Sequence, residues 1–144
     1  MALTVKIHIE GVQETLRKFR ELPKEASDSL RDRTQELSQE LATIVSAAAR
    51  SDSPQSALLA KTVKAKRDRV PVIQAGGTSR IGSNRAPAYK VLFGSEFGSN
   101  NLKQYRPHVG QGSYWFFKAV EESGPEIGAK WNQVTDDILK KWSS

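Results

Sequence analysis

The chain has 144 residues, of which 38% are hydrophobic, and this is enough for one domain with a buried core. It contains no cysteine, which excludes disulfides, thiolate nucleophiles and cysteine-ligated zinc, and no apolar run approaches the roughly 20 residues that span a bilayer. The formal net charge of +6 is confined to residues 61–85, which hold seven cations and one acid, so the rest of the chain is neutral.

The first 50 residues predict a strand followed by two helices. Apolar and polar residues alternate from residue 4 to residue 10, which indicates a strand with one solvent-facing side. After Gly11, apolar residues recur at helical spacing, and this predicts a short amphipathic helix that ends at Pro23. Residues 24–50 contain neither glycine nor proline and carry one apolar stripe, so they predict a helix of about 40 Å.

A helix of that length exceeds what a compact domain of this size is expected to cover by itself. We therefore expect part of it to pack against a neighbouring subunit; a kink or a frayed end is the alternative. The candidate interface residues are Leu30, Leu37, Leu41, Tyr114, Trp115, Trp131 and Trp142.

The basic part of the chain predicts a β-hairpin followed by a loop. Residues 57–65 and 70–75 have strand-like patterns, and Pro71 places the second segment at an edge or a bulge because it cannot donate a ladder hydrogen bond. Cations fall on both faces of the first segment, which favours a protruding hairpin. We expect residues 61–85 to face DNA or an acidic partner; the alternative is a solvated hairpin whose charges prevent edge-to-edge aggregation. The cations are Lys61, Lys64, Lys66, Arg67, Arg69, Arg80 and Arg85.

The remaining residues predict a second loop and a C-terminal helix. Residues 86–97 fit either a helix or a strand, and residues 98–112 are a polar loop with glycines. Residues 114–122 begin a helical stretch, and residues 123–126 resemble a capping box that starts the final helix. The whole chain therefore predicts one α+β domain, with a small antiparallel or mixed β-sheet on which a long helix and a C-terminal helix pack.

The sequence predicts no catalytic, metal or cofactor site. His8 and His108 are the only histidines, and neither has a partner at metal-ligand spacing. His8 falls on the solvent-facing side of the predicted strand, and His108 is expected to orient loop backbone or to stack on an aromatic ring. The aromatic run at residues 114–117 fits either a stacking platform for single-stranded nucleic acid or, as we favour, an anchor that seats the last helix in the core.

Several segments, and the order in which they follow one another, resemble the tail-component family of long-tailed bacteriophages. The members of this family are small morphogenesis proteins of the neck and tail-completion type. The resemblance covers nearly the whole chain, and the Glu-Phe-Gly element is its most telling part together with the later Pro-His and aromatic segment. It departs from the family at Ser99, where the family often has threonine. The segments after the N-terminal strand and two helices are Ser53-Pro54, Leu58-Leu59-Ala60, Arg69-Val70-Pro71-Val72-Ile73-Gln74-Ala75-Gly76-Gly77, Phe93-Gly94-Ser95-Glu96-Phe97-Gly98, Tyr105-Arg106-Pro107-His108-Val109-Gly110 and Gly112-Ser113-Tyr114-Trp115-Phe116-Phe117.

The resemblance implies an α+β subunit that assembles as a ring at the head–tail junction or at the top of the tail, with no enzyme activity and no cofactor. A six-fold ring would match a tail. The implied partners are further copies of the chain, the neighbouring connector or stopper and tail proteins, and genomic DNA contacted without sequence preference. The implied location is the neck or tail of the virion, after assembly in the host cytoplasm. A basic nucleic-acid-binding module without a virion role is the alternative function.

Overall fold

The computed structural model describes residues 2–110 and 112–143, so Gln111 of the predicted second loop lies outside the described residues. The fold is α+β, as predicted. The strands are β1 (Ala2–Lys6), β2 (Lys64–Lys66), β3 (Val72–Gly76), β4 (Arg80–Ile81) and β5 (Ala86–Pro87). The helices are α1 (Val12–Arg20), α2 (Lys24–Asp52), α3 (Pro54–Ala57), α4 (Ala88–Phe97) and α5 (Phe116–Ser143), with a 3₁₀ turn at Ala60–Thr62.

The two long helices, α2 and α5, run antiparallel and form the centre of the fold. Arg33 lies 3.5 Å from Asp137, and Lys130 lies 2.6 Å from Glu40, so rising numbers on one helix meet falling numbers on the other. The pKa of Lys130 is raised, mainly because its ammonium group donates a hydrogen bond to Glu40. Trp131 is fully buried at this junction, where its indole N–H donates to a loop carbonyl at 2.7 Å.

Helix α2 is covered by its own chain along its length. Its buried positions run from Ala26 to Ala49, and its partners include α5, α3 and the sheet. The length of this helix therefore gives no separate reason to expect a neighbouring subunit on it, and contact with a neighbour stays a prediction. The second long helix, α5, is nearly as long as α2 and packs against its buried side.

The three-stranded sheet has the order β1-β3-β2, and both pairings are antiparallel. Strand β3 is central, which corrects the prediction that Pro71 makes this segment an edge or a bulge. Pro71 stands just before the strand, so the missing N–H falls outside the ladder, and its carbonyl accepts from the Ile7 N–H at 3.1 Å. Ile73 and Ala75 point into the core and are fully buried.

The predicted β-hairpin is present, because β2 pairs antiparallel with β3, but its first strand spans only Lys64–Lys66 and the predicted start at residue 57 is wrong. Ser53 caps a short helix by accepting from the Ser56 N–H at 3.1 Å, and Pro54 occupies the first helical position. The chain then turns through the 3₁₀ segment, and only residues 64–66 are extended. Strand β2 lies flat against the body, with Ala65 packed on the core.

Helix α5 is continuous, so the predicted capping box at residues 123–126 does not start a new helix. Pro125 lies inside the helix on its exposed side, where water can satisfy the carbonyl that its missing N–H leaves free. Buried residues on both sides of this point, Val120 and Ile127, hold the helix on one line. Glu126 pairs with Lys130 at 3.5 Å and does not cap.

Truncation of Leu41 should test how much the α2 core contributes to stability. Leu41 is fully buried, so we expect Leu41→Ala to lower the free energy of unfolding by about 2–5 kcal/mol in urea titration. Leu102→Ala is the matched control. Because Leu102 is 51% exposed, this substitution should change the free energy of unfolding by less than about 0.5 kcal/mol. Equal effects of the two changes would contradict the packing described.

Candidate functional site

A buried carboxylate holds the start of helix α5. Glu96, on α4, is fully buried, and its Oε1 accepts from the backbone N–H groups of Trp115 and Phe116, both at 2.9 Å. Its Oε2 accepts from the Phe117 N–H at 2.6 Å. A helix start exposes unpaired N–H groups and the positive end of the helix dipole, so a carboxylate there is doubly favourable. Glu96 thus caps α5 from about 20 residues upstream.

Two glycines let the loop after α4 lie directly on that helix. A Cβ on Gly94 would come within 2.4 Å of the Tyr105 ring, so the ring packs against bare backbone. A Cβ on Gly98 would come within 2.2 Å of the Pro107 carbonyl oxygen, and Gly98 also has a φ of +77°. Burial raises the pKa of the Tyr105 phenol. Close approach of loop and helix therefore depends on these two positions.

Arg106 links this loop to helix α2. Its guanidinium donates to the Asp52 carboxylate, which also accepts from the Ser56 hydroxyl. The same guanidinium lies 3.9 Å from the centre of the Tyr114 ring, a cation–π contact. The Tyr114 hydroxyl in turn donates to the Pro107 carbonyl at 2.7 Å. One arginine therefore joins the end of α2, the loop and Tyr114, which lies just before α5.

The aromatic run is a core anchor, as favoured from the sequence, and the stacking-platform interpretation is wrong. Trp115 is 3% exposed and Phe116 is fully buried, so neither offers a face to a base. His108 has the expected backbone role, because its Nδ1 accepts from the Gly110 N–H at 3.0 Å. His8 is exposed. Trp115 and Phe116 thus anchor the start of α5 and His108 holds the loop, and no two of these residues are placed as a catalytic pair.

Most of the candidate interface residues lie inside the subunit. The prediction that they contact a neighbour is corrected for the five that are buried in the chain's own core, which are Leu30, Leu37, Leu41, Trp115 and Trp131. Tyr114 and Trp142 are half-buried. Periodicity marks a buried face, but it does not say whether the chain itself or a second subunit covers that face.

An apolar groove of about 530 Å³ lies between α4 and the loop that follows it. Phe93 and Leu102, which are 38% and 51% exposed, both line it, and the rings of Phe93 and Phe97 stack at 6.2 Å. Tyr105 lines it as well, and Lys90 is its one charged lining residue. Exposed apolar residues gathered in one place mark a contact surface. Sequence reasoning missed this groove because its residues come from two elements.

The seven predicted basic residues are divided between two neighbouring places. The first is strand β2 with the 3₁₀ turn before it and the loop after it, which carry those numbered 61–69, and the second is the β4–β5 hairpin, which carries Arg80 and Arg85. Six of the seven are exposed, and Arg69 is half-buried. Both places border a cleft of about 310 Å³, which Lys61 and Lys64 line from the sheet side and Ser79 from the hairpin side. Arg67 pairs with Asp32 on α2.

Over residues 2–110 and 112–143, no group of three or more histidine, aspartate and glutamate side chains could hold a metal ion. The helices in the same ranges include none that is long and apolar enough to cross a bilayer.

Comparison of the chain with profiles of known protein families, with curated proteins and with solved structures finds no match.

Replacement of the capping carboxylate should test its role. Glu96→Gln removes the charge and turns an amide NH₂ toward a backbone N–H, so we expect a loss of about 2–4 kcal/mol in the free energy of unfolding. Glu122→Gln, on the exposed side of α5, is the control and should cost less than about 0.5 kcal/mol. If both variants unfold at the same urea concentration, Glu96 does not act as the cap.

Glycine-to-alanine substitutions should distinguish a glycine that a neighbouring ring packs against from a glycine that has free space beside it. Gly94→Ala forces the Tyr105 ring away and should lower the free energy of unfolding by about 1–3 kcal/mol. Gly128→Ala, inside α5, meets nothing closer than 3.6 Å and should raise it by roughly 0.5–1 kcal/mol. Urea titration of both variants gives the comparison, and effects of the same sign would contradict the packing of Tyr105 on Gly94.

Proposed function

We propose that this chain is a non-enzymatic structural subunit of the head–tail junction of a long-tailed bacteriophage. It acts as a neck, tail-completion or tail-terminator protein and joins the tail to the neighbouring connector or stopper. The subunits form a ring, six-fold to match a tail, that leaves a passage for DNA. The protein is thus a component of the virion, assembled in the host cytoplasm.

The observation that carries this proposal is the convergence of the segments that resemble the family. Residues 93–98, 105–110 and 112–117 follow one another in one stretch of the chain, and they meet around the carboxylate of Glu96 and the guanidinium of Arg106. Their convergence supports the interpretation that they belong together as one structural unit.

The apolar groove supports assembly. A ring is closed by head-to-tail contacts, in which each subunit presents one surface to the next and a different surface to the previous one. We assign the groove to one side of that contact, occupied by a second copy of the chain. Phe93 and Leu102 are the large apolar side chains left exposed among the described residues, so burial of this groove would give the most hydrophobic stabilisation available.

The chemistry of the described residues supports a structural role and gives no support to an enzymatic one. The buried carboxylate of Glu96 already accepts from three backbone N–H groups, so it has no free oxygen to act as a base. The ring nitrogen of His108 that accepts a hydrogen bond is engaged by the adjacent backbone. Asp52 is paired with Arg106. The groups that often perform catalysis are thus used to hold the loop.

Mass photometry at micromolar concentration tests the ring. We expect particles of about 96 kDa, six times the 16.0 kDa of one subunit, and co-sedimentation of the protein with virions. Leu102→Asp places a charge in the groove and should shift the distribution to monomers. Lys103→Asp, one residue away and outside the groove lining, is the control and should assemble like the unchanged protein. A protein that is monomeric and missing from virions refutes the proposal.

A further inference from the structure

The outer face of the three-stranded sheet is a flat polar surface that no single stretch of sequence reveals. Residues that pair directly across antiparallel strands share a face. The register therefore aligns one row across the three strands, Thr4, Gln74 and Lys64, and a second row, Lys6, Val72 and Lys66. The opposite face carries Ile73 and Ala75 and packs on the core.

This face carries cations that have no acidic partner. Lys64 and Lys66 lie on this face, and Lys61, in the 3₁₀ turn before β2, lines the cleft beside it. All three are exposed, and within the residues that the structure describes none of them forms an ion pair. Lys6 lies 3.6 Å from Asp68, and both side chains are substantially exposed, so this pair is weak. The outer face is therefore positively charged even after its one nearby acid is counted.

The chemistry of the face favours a polyanion over a protein surface. The centres of protein interfaces are rich in aromatic residues and poor in lysine. Here the polar side chains are lysines with the exposed Thr4 and the half-buried Gln74, and the one large apolar residue, Val72, is only 3% exposed between two lysines. Lysine, threonine and glutamine are side chains that contact phosphate oxygens in protein–DNA complexes.

The absence of exposed rings on this face distinguishes duplex from single-stranded nucleic acid. Proteins that bind single strands stack bases on aromatic side chains, and the register places none on the outer face of β1, β2 or β3. A duplex presents phosphates without exposing base faces, so lysines alone can contact it. Lys64 and Lys66 are two residues apart on β2, so their Cα atoms are separated by about 6.6 Å. At this spacing the two lysines can contact separate phosphates of one DNA strand.

We propose that the outer sheet face binds the phosphodiester backbone of duplex DNA without sequence preference, through Lys61, Lys64 and Lys66. The inference rests on the proposed function, in which DNA passes through the ring. Arg80 and Arg85, beyond the shared cleft, extend the same positive surface. Arg67 contributes less, because Asp32 neutralises it.

Fluorescence anisotropy with a labelled random-sequence duplex of about 20 base pairs tests this inference. The full-length protein is compared with a triple variant, Lys61→Gln, Lys64→Gln and Lys66→Gln, at salt concentrations between about 50 and 200 mM. We expect the slope of log K against log salt to fall in magnitude by about 2.7 in the variant, since each lost phosphate contact removes about 0.9. The matched control changes Lys18, Lys103 and Lys118 to Gln, which removes the same charge from exposed positions elsewhere and should leave the slope within about one contact of the original.

Three outcomes overturn the inference. The control triple could lose as much binding as the sheet triple, a single strand of the same length could bind more tightly than the duplex, or the sheet triple could lose a tail or connector protein while keeping the duplex. Unchanged thermal unfolding of both triples excludes a folding defect. Mass photometry of both proteins keeps this test separate from that of the proposed function. A sheet triple that still forms the ring but has lost the salt-dependent DNA contacts supports both, whereas an unchanged protein that is monomeric yet binds DNA through these lysines refutes only the ring.

Discussion

The contact between the Glu96 carboxylate and three backbone N–H groups determines where the second half of the protein lies. It fixes the first turn of α5, and α5 supplies the surface that covers α2. The loop between Glu96 and that turn is drawn back against α4, which creates the wall of the apolar groove. A local N-cap would have started the helix without placing it, whereas a cap from another helix does both.

Charge and apolar surface are separated on this molecule, and each suits a different kind of contact. The excess of cations lies in residues 61–85, at the outer sheet face and the β4–β5 hairpin, while the large exposed apolar side chains lie beside α4. A subunit with this division can bind a polyanion with one surface and another protein with a second, without competition between them. In a closed ring the positive surface would repeat once for every subunit and form a continuous band.

The sequence predicted the parts of the fold whose signal is local. The long apolar stripe gave α2 at 24–50 against the observed Lys24–Asp52. Alternation gave the first strand, but at 4–10 against the observed Ala2–Lys6. Predictions failed where a distant partner decides the structure. Pro125 reads as a break, but contacts on both sides hold the helix through it. Glu96 carries no local mark of a cap, because its three partners lie about 20 residues away, and Pro71 is harmless only because the ladder begins after it.

Because the cap bridges two helices, the first turn of α5 and the groove wall form one cooperative unit. The turn is complete only when the intervening loop has closed, and loop closure costs entropy that the cap must offset. Amide hydrogen exchange in this turn should therefore report on the groove as well as on the helix. A neighbour that fills the groove would slow that exchange from a distance, so each subunit would stiffen as the next one joins it.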